Sequence, residues 1–197
     1  MRMMQMLNEH AHKNRREAGV MPKIINNLEE NILSAARRLV AEQGYAAVTM
    51  RAIAKECGIA VGTFYNYYPS KDAMLAACLL HDWQTALASA GERTAAAQSV
   101  EEAVGAVFDA VRAFQEQNRS IFSDEGARSS AAGALQSRHA QLRAQIAALL
   151  EAPCRRFSDA PDAAFLAEFA AESILSWSGT DISFPQLWTL LKRLFIK

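Results

Sequence analysis

Between Met50 and Pro69 the sequence gathers residues whose types and spacing suit contact with a nucleic acid. Two short helices that cross steeply need a small residue where they touch, a glycine or its equivalent in the turn, and apolar residues at fixed interior offsets. Ala54 supplies the small contact and Gly58 the turn, while Ile53, Cys57, Ile59, Phe64 and Tyr67 fall where a little core requires them. The outward residues of the second helix, Ala60, Val61, Gly62, Thr63, Tyr65 and Asn66, are small or hydrogen-bonding. None is acidic, and an acid there would repel phosphate. They lie near a helix N-terminus, the end that would enter a major groove first. Gly62 costs about 1 kcal/mol in helix propensity against alanine, so close approach of a partner explains it better than helix stability does. A helical hairpin with no such partner shares the same spacing.

No other constellation of comparable content is present. There is no Walker loop, HExxH, GxSxG or metal-spaced His/Cys cluster, and the histidines His10, His12, His81 and His139 are scattered. His81 and Asp82 are sequence neighbours on one helix and face different directions. The expectation is a protein that is not an enzyme and holds neither metal nor cofactor. Cys57, Cys78 and Cys154 form no CxxC pair and read as reduced thiols, buried in the interior.

These residues must be positioned by helices. Alanine accounts for 38 residues, Gly and Pro together for 14, and no stretch alternates in the manner of a strand, so an all-α fold is expected. Asn27 caps a helix that places Leu28, Ile32, Ala36, Leu39 and Val40 on one face before Gly44 stops it. Thr49 caps Met50 to Cys57, a second short helix runs from about Ala60 to Tyr68, and Ser70 opens a long helix to about Ala90. Further helices are expected over Val100 to Asn118, Ile121 to Ser129, Ala134 to Glu151, Asp162 to Trp177 and Pro185 to Ile196, with breaks at Gly91 and in the Pro153 region. The polar stretch 1–22 reads as a flexible arm, and Met21 is a second candidate for the start of translation.

Met1 to Asp72 carry 10 Lys/Arg and 7 Asp/Glu, the remainder 11 and 14, so a mildly basic front balances a mildly acidic rear at zero net charge. No uncharged apolar run approaches the ~20 residues that span a bilayer, and Arg2, Glu9 and Lys13 stand where a signal core would be apolar. A cytoplasmic protein with no membrane partner is expected.

The run Gly62-Thr63-Phe64-Tyr65-Asn66-Tyr67-Tyr68-Pro69-Ser70-Lys71-Asp72, preceded by Thr49-Met50-Arg51-Ala52-Ile53-Ala54 and Gly58-Ile59-Ala60, resembles the DNA-binding domain of TetR-type transcriptional regulators, where the matching stretch usually reads G-T-L-Y-x-Y-F-x-S-K. The resemblance spans about residues 28 to 75. It implies a helix-turn-helix domain over 23–72 joined to a helical ligand-binding and dimerisation domain over 73–197. By position, Thr63, Tyr65, Tyr67 and Lys71 match phosphate-holding residues of the family. Thr49 and Arg51 are placed to touch the backbone as well, and Val61 and Asn66 to read bases through a thymine methyl and an adenine edge. Tyr68 replaces the usual Phe, so its hydroxyl must reach water or a partner. Ala60 stands where Ser is common.

The resemblance further implies a repressor of a palindromic operator on double-stranded DNA, released by a small-molecule effector. It also implies a homodimer through the last two helices, which carry Phe165, Phe169, Leu175 and Trp177, then Trp188, Leu191, Leu194 and Phe195. A pocket would draw on Trp83, Phe108, Phe114, Phe122 and His139, but each reads more readily as an ordinary core or surface residue than as pocket, and no ligand site is assigned from them.

Overall fold

The computed structural model describes residues 27–123, 125, 138–158 and 162–195. Among them every regular element is a helix: α1 Leu28–Gln43, α2 Met50–Glu56, α3 Val61–Tyr67, α4 Lys71–Ala96, α5 Val100–Gln117, α6 Arg119–Ser123, α7 His139–Phe157, α8 Ala163–Trp177 and α9 Phe184–Phe195. The arm expected over 1–22, and residues 124 and 126–129 of the helix expected from Ile121 to Ser129, lie outside the described residues.

Local chemistry sets most of the helix starts. Hydroxyl oxygens of Thr49, Ser70 and Ser99 each accept from the backbone N–H three residues on, at 3.1 Å, and Asp162 Oδ1 accepts from Phe165 N–H at 2.9 Å. Asn27 precedes α1 as expected but does not cap it: its backbone is left-handed, at φ 62°, and its side chain bonds no helix N–H. Asparagine is among the few residues that tolerate that conformation. Gly58 makes the α2–α3 turn at φ +65°, where a Cβ would be strained.

Two expected breaks are absent. Helix α4 runs through Gly91 to Ala96, with Ala90 and Thr94 buried on either side. A Cβ at Gly91 would sit at ordinary contact distance, 3.6 Å, from Leu149 on α7, so the helix passes the glycine in a position where another residue would also fit. Helix α7 likewise continues through Pro153 to Phe157. The proline lacks the N–H that would reach the carbonyl four residues back. It is buried in one stripe with Ile146, Ala147, Leu150 and Cys154, and this packing outweighs the lost bond.

The core is one connected cluster. Helix α1 packs against α2, α4 and α6, while α4, α5, α7 and α8 form the rear bundle, with α9 laid across α5 and α8. A part-buried ion pair ties front to rear: Arg37 on α1 meets Asp82 on α4 at 2.7 Å through Nη2 and 3.1 Å through Nε. Cys78 and Cys154 are buried and Cys57 half-buried, all three free thiols. Burial pushes the Cys78 thiol up to about 12 and the Cys154 thiol up to about 11.

Candidate nucleic-acid interface

Helices α2 and α3 are locked together by their shared interior. Ala54 and Phe64 are fully buried, and the turn between them is closed by Ile59 N–H donating to Ala54 O at 2.9 Å and Gly58 N–H to Lys55 O at 3.1 Å. Phe64 stacks obliquely on Tyr68, with centroids 6.0 Å apart. The Tyr68 hydroxyl, which required a partner, donates to Glu29 Oε1 at 3.2 Å, and burial together with that carboxylate raises its pKa well above the usual phenol value. Tyr67 does not join this core as its spacing suggested. It is 42% exposed, because one position before the buried Tyr68 the helix has turned its side chain outward.

The outer face of α3 is open. Tyr65 is 47% exposed, and Gly62 and Asn66 are exposed beside it. A Cβ built on Gly62 meets nothing within 4 Å, so the missing side chain fills no packing need inside the protein. Thr63 is half-buried. Val61 is half-buried as well and packs on the head's core, which leaves only part of its side chain for a base. On α2, Thr49 and Arg51 are exposed, and so is Lys55, one turn from Arg51 on the same face. The spacing of Lys55 four positions after Arg51 is the sequence signal that places both on that face.

Nearby acids are occupied. Glu56 is paired with Arg38, and Asp72 accepts from the Tyr45 hydroxyl. Lys71 is half-buried: its Nζ donates to the Tyr45 carbonyl and lies 3.9 Å from the centroid of the Tyr45 ring. Its charge is therefore fixed at the start of α4 by Tyr45, a partnership that spacing alone did not reveal.

In the rear half a cavity of about 470 Å³ opens between α4, α5, α6, α7 and α8. Of the aromatic candidates, Trp83, Phe114 and Phe122 line it. Phe108 and His139 do not. Phe108 is buried against Phe184 at 5.6 Å between centroids, and His139 Nε2 bonds Glu172 at 3.1 Å on the α7–α8 surface, which holds the Glu172 carboxyl below its usual range. Gln115 and Ser178, not singled out in the sequence, stand in the wall.

The last two helices divide their apolar residues in a way the sequence could not. Trp188, Leu191 and Phe195 belong to the core and Leu175 is half-buried, whereas Phe165, Phe169, Trp177 and Leu194 are exposed, together with Leu190, which is 72% exposed. No helix among the described residues is long and apolar enough to cross a membrane.

Residues 32–78 match the family described as bacterial regulatory proteins, tetR family. Over 57 residues, the chain is 44% identical to the HTH-type transcriptional regulator UidR of Escherichia coli (strain K12), a match covering 29% of each chain. Over 55 residues it is 42% identical to the HTH-type transcriptional repressor KstR of Rhodococcus jostii (strain RHA1), covering 28% of this chain and 26% of that one. The aligned stretch thus spans less than a third of these relatives' own length. Among solved structures, a transcriptional regulator from Streptomyces coelicolor A3(2) superposes with a TM-score of 0.60 at 19% identity, covering 86% of this chain and 99% of its own. The transcriptional regulator FadR from Bacillus subtilis, solved in complex with stearoyl-CoA, follows at 0.55 and 16%, covering 84% and 97%. At such identities these two show a shared fold. Residues 32–78 thus carry a helix-turn-helix similar to that of TetR-family transcriptional regulators, and the all-helical fold is shared along most of the chain's length with solved transcriptional regulators.

Proposed function

We propose that the protein represses transcription as a homodimer on a palindromic operator and leaves it when a small molecule occupies the rear cavity. The observation that carries this reading is the continuity of α4. The helix starts at Lys71, beside the DNA-facing helices, and passes the cavity wall at Trp83 without interruption. Twelve residues at the helical rise put these points about 18 Å apart on one rigid element. The Arg37–Asp82 pair fastens α1 to α4 one residue from Trp83. Helix α1 also touches α6, whose Phe122 lines the same cavity. A molecule that reshapes the wall therefore pulls on the head through two connections. It must bind the DNA-incompetent arrangement more tightly than the competent one, since equal affinity would shift nothing.

In this reading the head over 23–72 meets DNA through α2 and α3. Asn66 and the exposed part of Val61 face bases, and Gly62 lets the backbone approach. Thr49, Arg51, Thr63, Tyr65 and Tyr67 hold phosphates, with Lys71 adding charge from its fixed seat on Tyr45. The exposed Phe165, Phe169, Trp177, Leu190 and Leu194 of α8 and α9 form the dimer face of the 73–197 domain, as a self-complementary two-fold interface requires.

The test is sequence enrichment from random double-stranded DNA at near-physiological salt. The expected result is a palindrome whose half-sites lie about 34–36 Å apart, one helical turn of DNA, or a multiple of that. A folded protein that enriches no motif would overturn the reading.

A further inference from the structure

One face of α5 holds the link between the last two helices. Gly105, Phe108, Arg112 and Gln115 follow one another at steps of three and four residues, so they form a single stripe along the helix. Residues 178–183, which join α8 to α9, and Phe184 at the start of α9 meet this stripe in antiparallel order. Arg112 Nη1 donates to Ile182 O at 3.2 Å, and a Cβ on Gly179 would lie 3.1 Å from Gln115 Nε2. The ring of Phe184 fills a notch at Gly105, where a Cβ would stand 3.0 Å from its Cε1 and 3.1 Å from its Cζ. Phe108, one turn on, meets the same ring at 5.6 Å between centroids.

The link is braced within itself. Thr180 Oγ1 donates to Trp177 O at 2.7 Å and accepts from Ile182 N–H at 3.3 Å. Gln186 Oε1 accepts from both the N–H and the hydroxyl of Ser183, at 2.9 Å and 2.8 Å. From Phe184 the seating passes into α9 through stacked rings, Phe184 on Trp188 at 6.1 Å and Trp188 on Phe195 at 5.7 Å. The Phe184 ring is thus engaged with both Phe108 and Trp188, and to retreat from Gly105 it must disturb the first turn of α9. Arg112, Gln115 and residues 178–181 also line the cavity, so the groups that hold the link are groups a bound molecule would touch.

Resting on the dimer reading above, we propose that this stripe is a positioning element: it fixes the angle at which α9 is presented to a second copy, and through that angle the spacing of the two heads on DNA. In a two-fold dimer a tilt of α9 is imposed on both copies, so it acts twice on the distance between the heads. That distance sets the half-site spacing, because each head must meet a major groove of the same duplex. Glycine at 105 is what lets the Phe184 ring come this close to the α5 backbone.

The test compares Gly105→Ala with the unsubstituted chain on a duplex carrying the enriched palindrome and on one carrying a single half-site. The added methyl presses on Phe184 in an already packed contact, so palindrome affinity is expected to fall about tenfold while half-site affinity stays unchanged. Alanine favours a helix more than glycine does, so the loss cannot come from α5 itself. Sequence enrichment should return the same half-site sequence at a shifted or broadened spacing. Phe184→Leu added to the same chain makes room for the methyl and should recover most of the loss, which general damage to the fold would not allow. Arg112→Met, which keeps the stem and loses the bond to Ile182 O, should broaden the spacing with a smaller loss. Unchanged palindrome affinity and spacing in both single variants, or a loss shared equally by the half-site duplex, overturns the positioning role and leaves the dimer standing. If the unsubstituted chain enriches one unpaired half-site, the dimer reading falls and the positioning role with it.

Discussion

The head and the last two helices both keep residues in the solvent, but of opposite kinds. On α3 the exposed set is a glycine, an amide and two phenols, and the acids around it are paired with Arg38 or Tyr45. On α8 and α9 the exposed set is Phe165, Phe169, Trp177, Leu190 and Leu194. A surface that meets a polyanion has to offer hydrogen bonds and avoid negative charge, and it loses little by standing in water between encounters. A surface of phenylalanine and leucine gains nothing from water and calls for an apolar cover. The contrast is the one the proposed function calls for, with α3 meeting DNA intermittently and α8 and α9 covered lastingly by a second copy.

The largest expected effect lies beneath the head. Phe64→Ala removes a fully buried ring from its small core and should cost about 3–5 kcal/mol, read as a lower midpoint in urea with DNA affinity lost alongside. A change within error would mean that α3 is held by something other than its interior. Next is Asp82→Ala, which strands the Arg37 charge. Arg37 keeps 24% of its side chain exposed, so the cost should be about 2–4 kcal/mol, short of that for a fully buried pair.

The apolar face is tested by Phe165→Asp with Leu190→Asp. Association should weaken by about 2 kcal/mol or more in sedimentation, while thermal unfolding of the chain changes little. An unchanged sedimentation coefficient would remove the dimer from α8 and α9. In the head, Asn66→Ala should cost about 1–3 kcal/mol at one operator position, whereas Lys71→Ala should weaken all sequences alike and flatten the salt dependence by about one phosphate. If Lys71→Ala left the slope untouched, its role would end at holding Tyr45. The smallest effect concerns thiols. Raised pKa values keep Cys78 and Cys154 protonated, and therefore unreactive, up to about 12 and about 11. Iodoacetamide at pH 8 should accordingly label Cys57 first and Cys78 last, as read by peptide mass.

Much of the head was legible because its determinants act within a few residues. Thr49 and Ser70 cap their helices through N–H groups three positions on, and Gly58 turns the chain on its own φ. The same locality explains the errors. Gly91 and Pro153 carry breaking signals, yet both sit where α4 and α7 pack against other helices, and packing overrides propensity. An apolar pattern that places Tyr67 in the core cannot say which of two adjacent tyrosines turns inward, and it is Tyr68 that does. In the pocket, aromatic type pointed to Trp83, Phe114 and Phe122 but also to Phe108 and His139, which are engaged elsewhere.

By itself the sequence determined the helical class, the order of the helices and the helix-turn-helix with its acid-free outer face, all of which follow from caps, turns and periodicity along short stretches. Tertiary structure alone decided which apolar residues of α8 and α9 are core and which are surface, where a cavity opens, and what seats α9 against α5. Those outcomes depend on residues far apart in the chain, such as Arg37 with Asp82, 45 positions on, and Trp83 with Gln145, 62 positions on. No local pattern encodes a meeting that only the packed fold brings about.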